Sequence, residues 1–190
     1  MDSIFSGFGL ASAAGLNAYI PLLLLGIAGR LGYADLQAPY AMLGSTAGLA
    51  VLTVLLAIEV LADKIPGVDH VNDVINTVVR PAAGGVLFLS SSGAGALNPG
   101  LAALLGIVTA GGVHVTKATA RPLITAMTGG LGNPVVSVIE DVLSIVATLL
   151  AIFLPVVAAI PLVVSIIGAL LLGRRWRARR ARARGRYATG

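Results

Sequence analysis

"AAGLNAYIP", residues 13–21, lies inside an apolar run that extends from Ile4 to Ala28, and its reading decides how that run is used. Without interruption, a run of this length would form one membrane-crossing helix. Gly15 and Pro21 both weaken a helix, and the Asn17 carboxamide must find hydrogen-bond partners away from water. The stretch therefore predicts a break, which neighbouring helices repair or which serves as a site.

Composition places that break in a bilayer. The chain has 190 residues, 57% of them hydrophobic and 11% charged, with a mean hydropathy of +0.95. Soluble domains carry about 25% charged residues. The expected class is an all-α integral membrane protein, with residues 1–173 as a single polytopic domain and 174–190 as a polybasic tail. No cysteine is present, which excludes disulfides, thiolate metal sites and cysteine nucleophiles. The opening "MDSIFSGFGL" has no basic leader region and no clear cleavage site follows it, so the first apolar run is expected to be retained.

The net charge of +5 is concentrated at one end. Eight of the 13 basic residues are arginines in "RRWRARRARARGR", residues 174–186; elsewhere five basic residues face eight acidic ones. A polybasic segment behind the last apolar stretch holds that end in the cytoplasm and attracts anionic lipid headgroups, with Trp176 at the interface. No nucleic-acid-reading fold accompanies it, so nucleic acid is not an expected partner.

Apolar segments of spanning length cover residues 8–29 and 41–62, and residues 82–113 read as a hairpin around the small-residue turn "SSSGAGALNPG". The glycine-broken "RPLITAMTGGLGNP", residues 121–134, reads as half a helix or part of a kinked fifth span. Residues 142–173 carry no charge and are too long for one crossing, so Pro155 and Pro161 are expected to divide them. The best count is six transmembrane or re-entrant helices. With both chain ends cytoplasmic, Lys64, Arg80, Lys117 and Arg121 fall on cytoplasmic ends and only Arg30 lies outside, as the positive-inside pattern requires.

A shift of 81 residues superposes Leu16 and Asn17 on Leu97 and Asn98, and Ile58 and Glu59 on Ile139 and Glu140. Intramembrane Asn and Glu are uncommon, so this echo suggests two three-segment repeats, residues 1–80 and 90–173. Three segments invert the second repeat relative to the first, a plan shared by transporters whose broken helices meet near the midplane. On this reading the break at Gly15 to Pro21 exposes backbone groups to a solute.

The polar residues give the candidate site. In "IEVLADKIPGVDHVND", residues 58–73, the pairs Glu59/Asp63 and Asp69/Asp73 are each four apart and share a helix face across the Pro66–Gly67 turn. Such pairs hold a divalent cation or share a proton, and a solvated loop gives the same pattern. His114, Lys117 and Arg121 form a cationic stripe suited to those carboxylates or to an anionic solute. Asn133, Ser137 and Glu140 form another stripe, with Asp141 beside it, in apolar surroundings. "GSTAG", residues 44–48, is a close-packing pattern, within the chain or in a homodimer.

"GLNAYIPLL", "ADKIPGVDHVND", "RPAAGG", "HVTKATARP" and "GNPVVSVIED", in this order, resemble a family of small bacterial multi-pass membrane proteins catalogued only as a domain of unknown function. The resemblance stops before the arginine tail and implies the bacterial inner membrane. It brings no substrate or reaction.

Three functions fit. A secondary transporter or channel would use Asn17, Glu59, Asp63, His114, Lys117, Arg121, Asn133, Ser137, Glu140 and Asp141 as its solute or ion path. A membrane enzyme acting on lipid phosphates would hold magnesium through Asp69 and Asp73; no cofactor is expected otherwise. A non-catalytic scaffold would pair its polar groups internally. No serine–histidine–aspartate arrangement or phosphate-cradling loop favours hydrolysis or nucleotide use, and the transporter is the expected function.

Overall fold

The computed structural model describes residues 4–63, 65, 68–91, 97–158 and 160, with the backbone alone at 69 and 70. The chain divides into two compact units, residues 1–159 and 160–190, and the helical bundle is the first of them. Lys64, the Pro66–Gly67 turn, residues 92–96 of the 90–100 turn, Pro161 and the arginine tail with Trp176 lie outside the described residues.

Every described element is helical. The order is α1 (Ile4–Leu16), α2 (Tyr19–Arg30), a 3-10 turn (Tyr40–Gly44), α3 (Thr46–Ala62), α4 (Val68–Ser91), α5 (Pro99–Thr128) and α6 (Asn133–Phe153). In α4 the stretch Val71–Ser91, and in α5 and α6 the whole helix, is long and apolar enough to cross a membrane. The protein is a helical membrane protein.

The expected single crossing over 8–29 is instead two short helices. Asn17 Oδ1 accepts from the Tyr19 and Ile20 amides at 3.0 and 3.1 Å, which caps α2 where α1 has just ended. Near this apex Asn17 lies beside Asp141 of α6. Further from the apex on α1, a Cβ on Gly9 would meet Ala151 and Ala158, and just beyond α2 the Tyr33 ring stacks edge-on against Phe153. Both helices thus run from Asn17 towards the C-terminal end of α6, forming a V. At 13 and 12 residues each arm is about 18–20 Å long, short of a hydrocarbon core of about 30 Å. Ile4 and Arg30 consequently lie at the same end of the bundle, where one crossing would have separated them.

Neighbouring helices alternate in direction. Gly84 opposes Ala110 and Gly106, Thr77 meets His114, and Asp73 meets Arg121, so α4 and α5 are antiparallel. Gly7 against Ser91 and the Gly15 carbonyl near Arg80 make α1 antiparallel to α4. Glu59 with Asn76, and Asp63 with Asn72, do the same for α3 and α4. Small residues allow the approach: a Cβ on Gly15 would lie 2.6 Å from the Ala110 carbonyl oxygen, and one on Gly106 would strike Gly84 O and Phe88.

Residues 121–134 turn out to be the end of α5, which continues past Pro122 to Thr128, and the turn into α6. Gly129 and Gly130, at φ +62° and +90°, supply the left-handed conformation that stops α5. Leu154 interrupts the next helix at φ −136°, ψ 64°, directly before Pro155, as expected there. The Gly44/Gly48 pattern is used within the chain: Gly44 closes the 3-10 turn against the Gly26 carbonyl, and Gly48, in the first turn of α3, faces the Met42 carbonyl.

Polarity is distributed as lipid solvent demands. Val74, Val78, Val108, Met127 and Val135 are exposed on the helix exteriors, whereas Asn17, Asn76, Arg80, His114, Ser137, Ser144 and Thr148 are buried. On α6 the buried set Asn133, Ser137, Glu140, Ser144, Thr148 recurs at helical spacing, so one face is polar and turned inward.

Candidate functional site

The inward polar faces converge on one ion-pair network. Its cations are Arg80, halfway along α4, and Lys117 and Arg121 on α5; its carboxylates are Glu59 and Asp63 at the end of α3, Asp73 on α4 and Glu140 on α6. Arg80 Nη2 lies 2.9 Å from Glu59 Oε1, and Lys117 Nζ lies 2.7 Å from Glu140 Oε2 and 3.7 Å from Asp63 Oδ2. Arg121 reaches three carboxylates, at 2.9 Å to Asp73, 3.2 Å to Asp63 and 3.5 Å to Glu140. Neutral groups complete it: Asn76 donates to Glu59 Oε1, Asn72 to Asp63 Oδ1 and Ser137 to Asp63 Oδ2.

The broken helix ends in this network. Arg80 Nη1 donates to the Gly15 carbonyl at 3.4 Å and Lys117 Nζ to the Leu16 carbonyl at 3.3 Å. These are carbonyls that a continuous helix would have consumed, and they carry the negative end of the α1 dipole. Asn17 Nδ2 donates to Asp141 Oδ1 at 2.9 Å. The interruption is therefore not repaired by backbone; its exposed groups are held by the cations of α4 and α5.

Arg80, Lys117 and Arg121, which the charge pattern assigned to cytoplasmic ends, are buried inside the bundle. Arg80 is 0% exposed and Lys117 and Arg121 are 6% exposed, because carboxylates of α3, α4 and α6 compensate them inside the bundle. His114 lies between Thr77, at 3.3 Å from Nε2, and Arg80, at 3.5 Å from Nδ1. Asn133 exchanges hydrogen bonds with Thr125 across the α5–α6 turn. A cleft of about 580 Å³ between α4 and α5 is lined by Asp73, Thr77, His114, Arg121 and Thr125 with apolar Val74 and Pro122.

Of the expected magnesium pair, Asp69 and Asp73, only Asp73 has a described side chain. Asp73 Oδ2 is engaged by Arg121, the Asp69 side chain lies outside the described residues, and among the described residues no group of three or more His, Asp or Glu is placed to hold a metal. Arg80, Asn72 and Asn76 are the residues that the sequence reading missed. Their spacing of four, 72–76–80, continues the polar stripe of residues 58–73 onto the face of α4 that meets α3, and was legible as such.

A family described as "Domain of unknown function (DUF4126)" matches residues 4–175. The chain belongs to the DUF4126 family. The matched region of this DUF4126 protein includes the V of α1 and α2 and every residue of the ion-pair network. No curated protein and no solved structure matches it.

Proposed function

We propose that this DUF4126 protein is a secondary transporter or channel for a small solute or ion. The observation that carries the reading is the helix break whose free carbonyls, at Gly15 and Leu16, meet Arg80 and Lys117 inside the bundle. A chain with so few charges has gathered them around carbonyls that its broken helix does not pair, which is the chemistry of a solute site in broken-helix transporters.

Two inverted three-helix repeats, α1–α3 and α4–α6, belong to this reading. Support comes from Asn17 and Asn98, which cap α2 and α5 through the same pair of amides two and three residues on. Glu59 and Glu140, also related by the 81-residue shift, are both buried and cation-paired. The alternating helix directions oppose α1 to α4, α2 to α5 and α3 to α6.

The proposed location is the bacterial cytoplasmic membrane, with the arginine tail on anionic headgroups of the cytoplasmic face. On this reading the start of α1 shares the membrane face of Arg30. A homodimer in the membrane is compatible with this arrangement. A magnesium enzyme is the weaker reading, since Arg121 occupies both Asp63 and Asp73.

The test is electrometry on proteoliposomes adsorbed to a solid-supported membrane, challenged in turn with small inorganic ions, organic anions, ammonium compounds, sugars and amino acids. A saturable response to one class, lost in folded Lys117→Met, is expected. Folded wild-type protein that responds to none, in either orientation, would overturn the proposal.

A further inference from the structure

Among the described residues the ion-pair network is unbalanced. Four carboxylates, Glu59, Asp63, Asp73 and Glu140, face three cations, Arg80, Lys117 and Arg121. His114 does not make up the difference. An Arg80 N–H points at its Nδ1, which must therefore accept, and the Nε2–H left over faces Thr77 Oγ1, which itself donates to the Asp73 carbonyl. That arrangement needs a neutral ring. One uncompensated negative charge inside an apolar bundle is costly, and the usual resolution is a proton.

The hydrogen bonds say where that proton sits. Glu59 is 2% exposed, and both of its donors, Arg80 Nη2 and Asn76 Nδ2, converge on Oε1 at 2.9 and 3.0 Å. Oε2 is buried with no hydrogen-bond partner. A carbonyl oxygen that takes every donor beside an oxygen that takes none is the pattern of a carboxylic acid. Asp63, by contrast, accepts on both oxygens. Asp73 also has a buried oxygen without a partner, but its side chain is 20% exposed beside the α4–α5 cleft, against 1% for that of Glu59. Glu140 is pinned by Lys117 at 2.7 Å.

We infer that Glu59 is a proton-binding site: its Oε2 carries an exchangeable proton that neutralises the network. The groups that face Glu59 are Arg80 of α4, Asp63 on its own helix, Lys117 of α5, and Tyr19 of α2 within electrostatic reach. Loss of the proton would strengthen the hold of Glu59 on Arg80 and draw that guanidinium away from the Gly15 carbonyl at the apex of the V, which links proton binding to the broken helix. The site is a property of the resting protein and stands whether or not a solute crosses; where transport holds, it names the coupling ion as a proton.

Infrared difference spectroscopy on the full chain in lipid, titrated across neutral pH in potassium buffer, reads the proton directly through the C=O stretch of a buried carboxylic acid. The expected result is one such band, sensitive to deuterium exchange, absent in Glu59→Gln and retained in Asp73→Asn. As the isostere of the protonated acid, Glu59→Gln should also keep the wild-type unfolding midpoint while flattening its dependence on pH. Should Glu59→Gln not fold, the wild-type band and its persistence in Asp73→Asn decide the matter. No acid band in the wild-type protein, or a band removed by Asp73→Asn, overturns the assignment. So does saturable stabilisation by sodium at constant pH, which would mean that a metal ion supplies the missing charge.

Discussion

Asn17 joins two helices that its own sequence neighbourhood cannot join. Its carbonyl oxygen caps α2 while its amide nitrogen donates to Asp141 of α6, 124 residues away and 2.9 Å distant. The apex of the V is thereby fixed against α6 by the same side chain that ends the helical backbone. Among the described residues, Asn98 performs only the capping half of this task, at an exposed position.

Asn98→Ala should therefore cost about 1 kcal/mol, the ordinary value of a helix cap. Asn17→Ala should cost about 2–3 kcal/mol, because a buried hydrogen bond is lost together with the cap. Unfolding in mixed detergent micelles compares the two, and equal losses would show that the Asp141 contact does not hold the V.

Lys117 and Glu140 should behave as a coupled pair. Lys117→Met or Glu140→Gln alone leaves a buried charge short of its partner, at a cost of about 3–5 kcal/mol. The double variant should lose clearly less than the sum, with the residue of the effect attributable to Lys117's further contacts with Leu16 and Asp63. Strict additivity in a double-mutant cycle would mean that the two side chains do not share a site.

Two glycines of α5 should respond to alanine with opposite signs. Gly106→Ala places a methyl against Gly84 O and Phe88 and should separate α4 from α5 at a cost of about 1–3 kcal/mol. A Cβ on Gly112 meets nothing within 4 Å, so Gly112→Ala should stabilise the helix by up to about 1 kcal/mol. Thermal unfolding of both variants checks the pair; destabilisation by Gly112→Ala would show a partner on that face.

The natural absence of cysteine allows topology to be read by labelling. Gln37 and Leu131 are exposed at opposite ends of the bundle. In intact cells Gln37→Cys should react with a membrane-impermeant maleimide, and Leu131→Cys only after permeabilisation. Reaction of both from the same side would dismantle the alternating helix directions.

Much of this was present in the residues themselves. The His114–Lys117–Arg121 stripe, the Asn133–Ser137–Glu140 stripe and the break at Asn17 follow from helical spacing and side-chain chemistry, and the structure places each on a buried face. Local rules suffice there because a helix repeats every 3.6 residues, whatever it packs against.

What α3 and α4 do to each other could not be read that way. Arg80 looked like a charge at a membrane edge, and only the antiparallel packing of α3 on α4 brings Glu59 to it across 21 residues of chain. Likewise the run from Ile4 to Ala28 is equally apolar as one crossing or as two arms of a V. The choice was made by Asp141, Arg80 and Lys117, which satisfy the carboxamide and carbonyls that the break exposes. Hydropathy determined that these segments enter the bilayer, since transfer from water is a property of each side chain alone; where the chain could afford to stop being helical depended on partners that only the tertiary structure supplies.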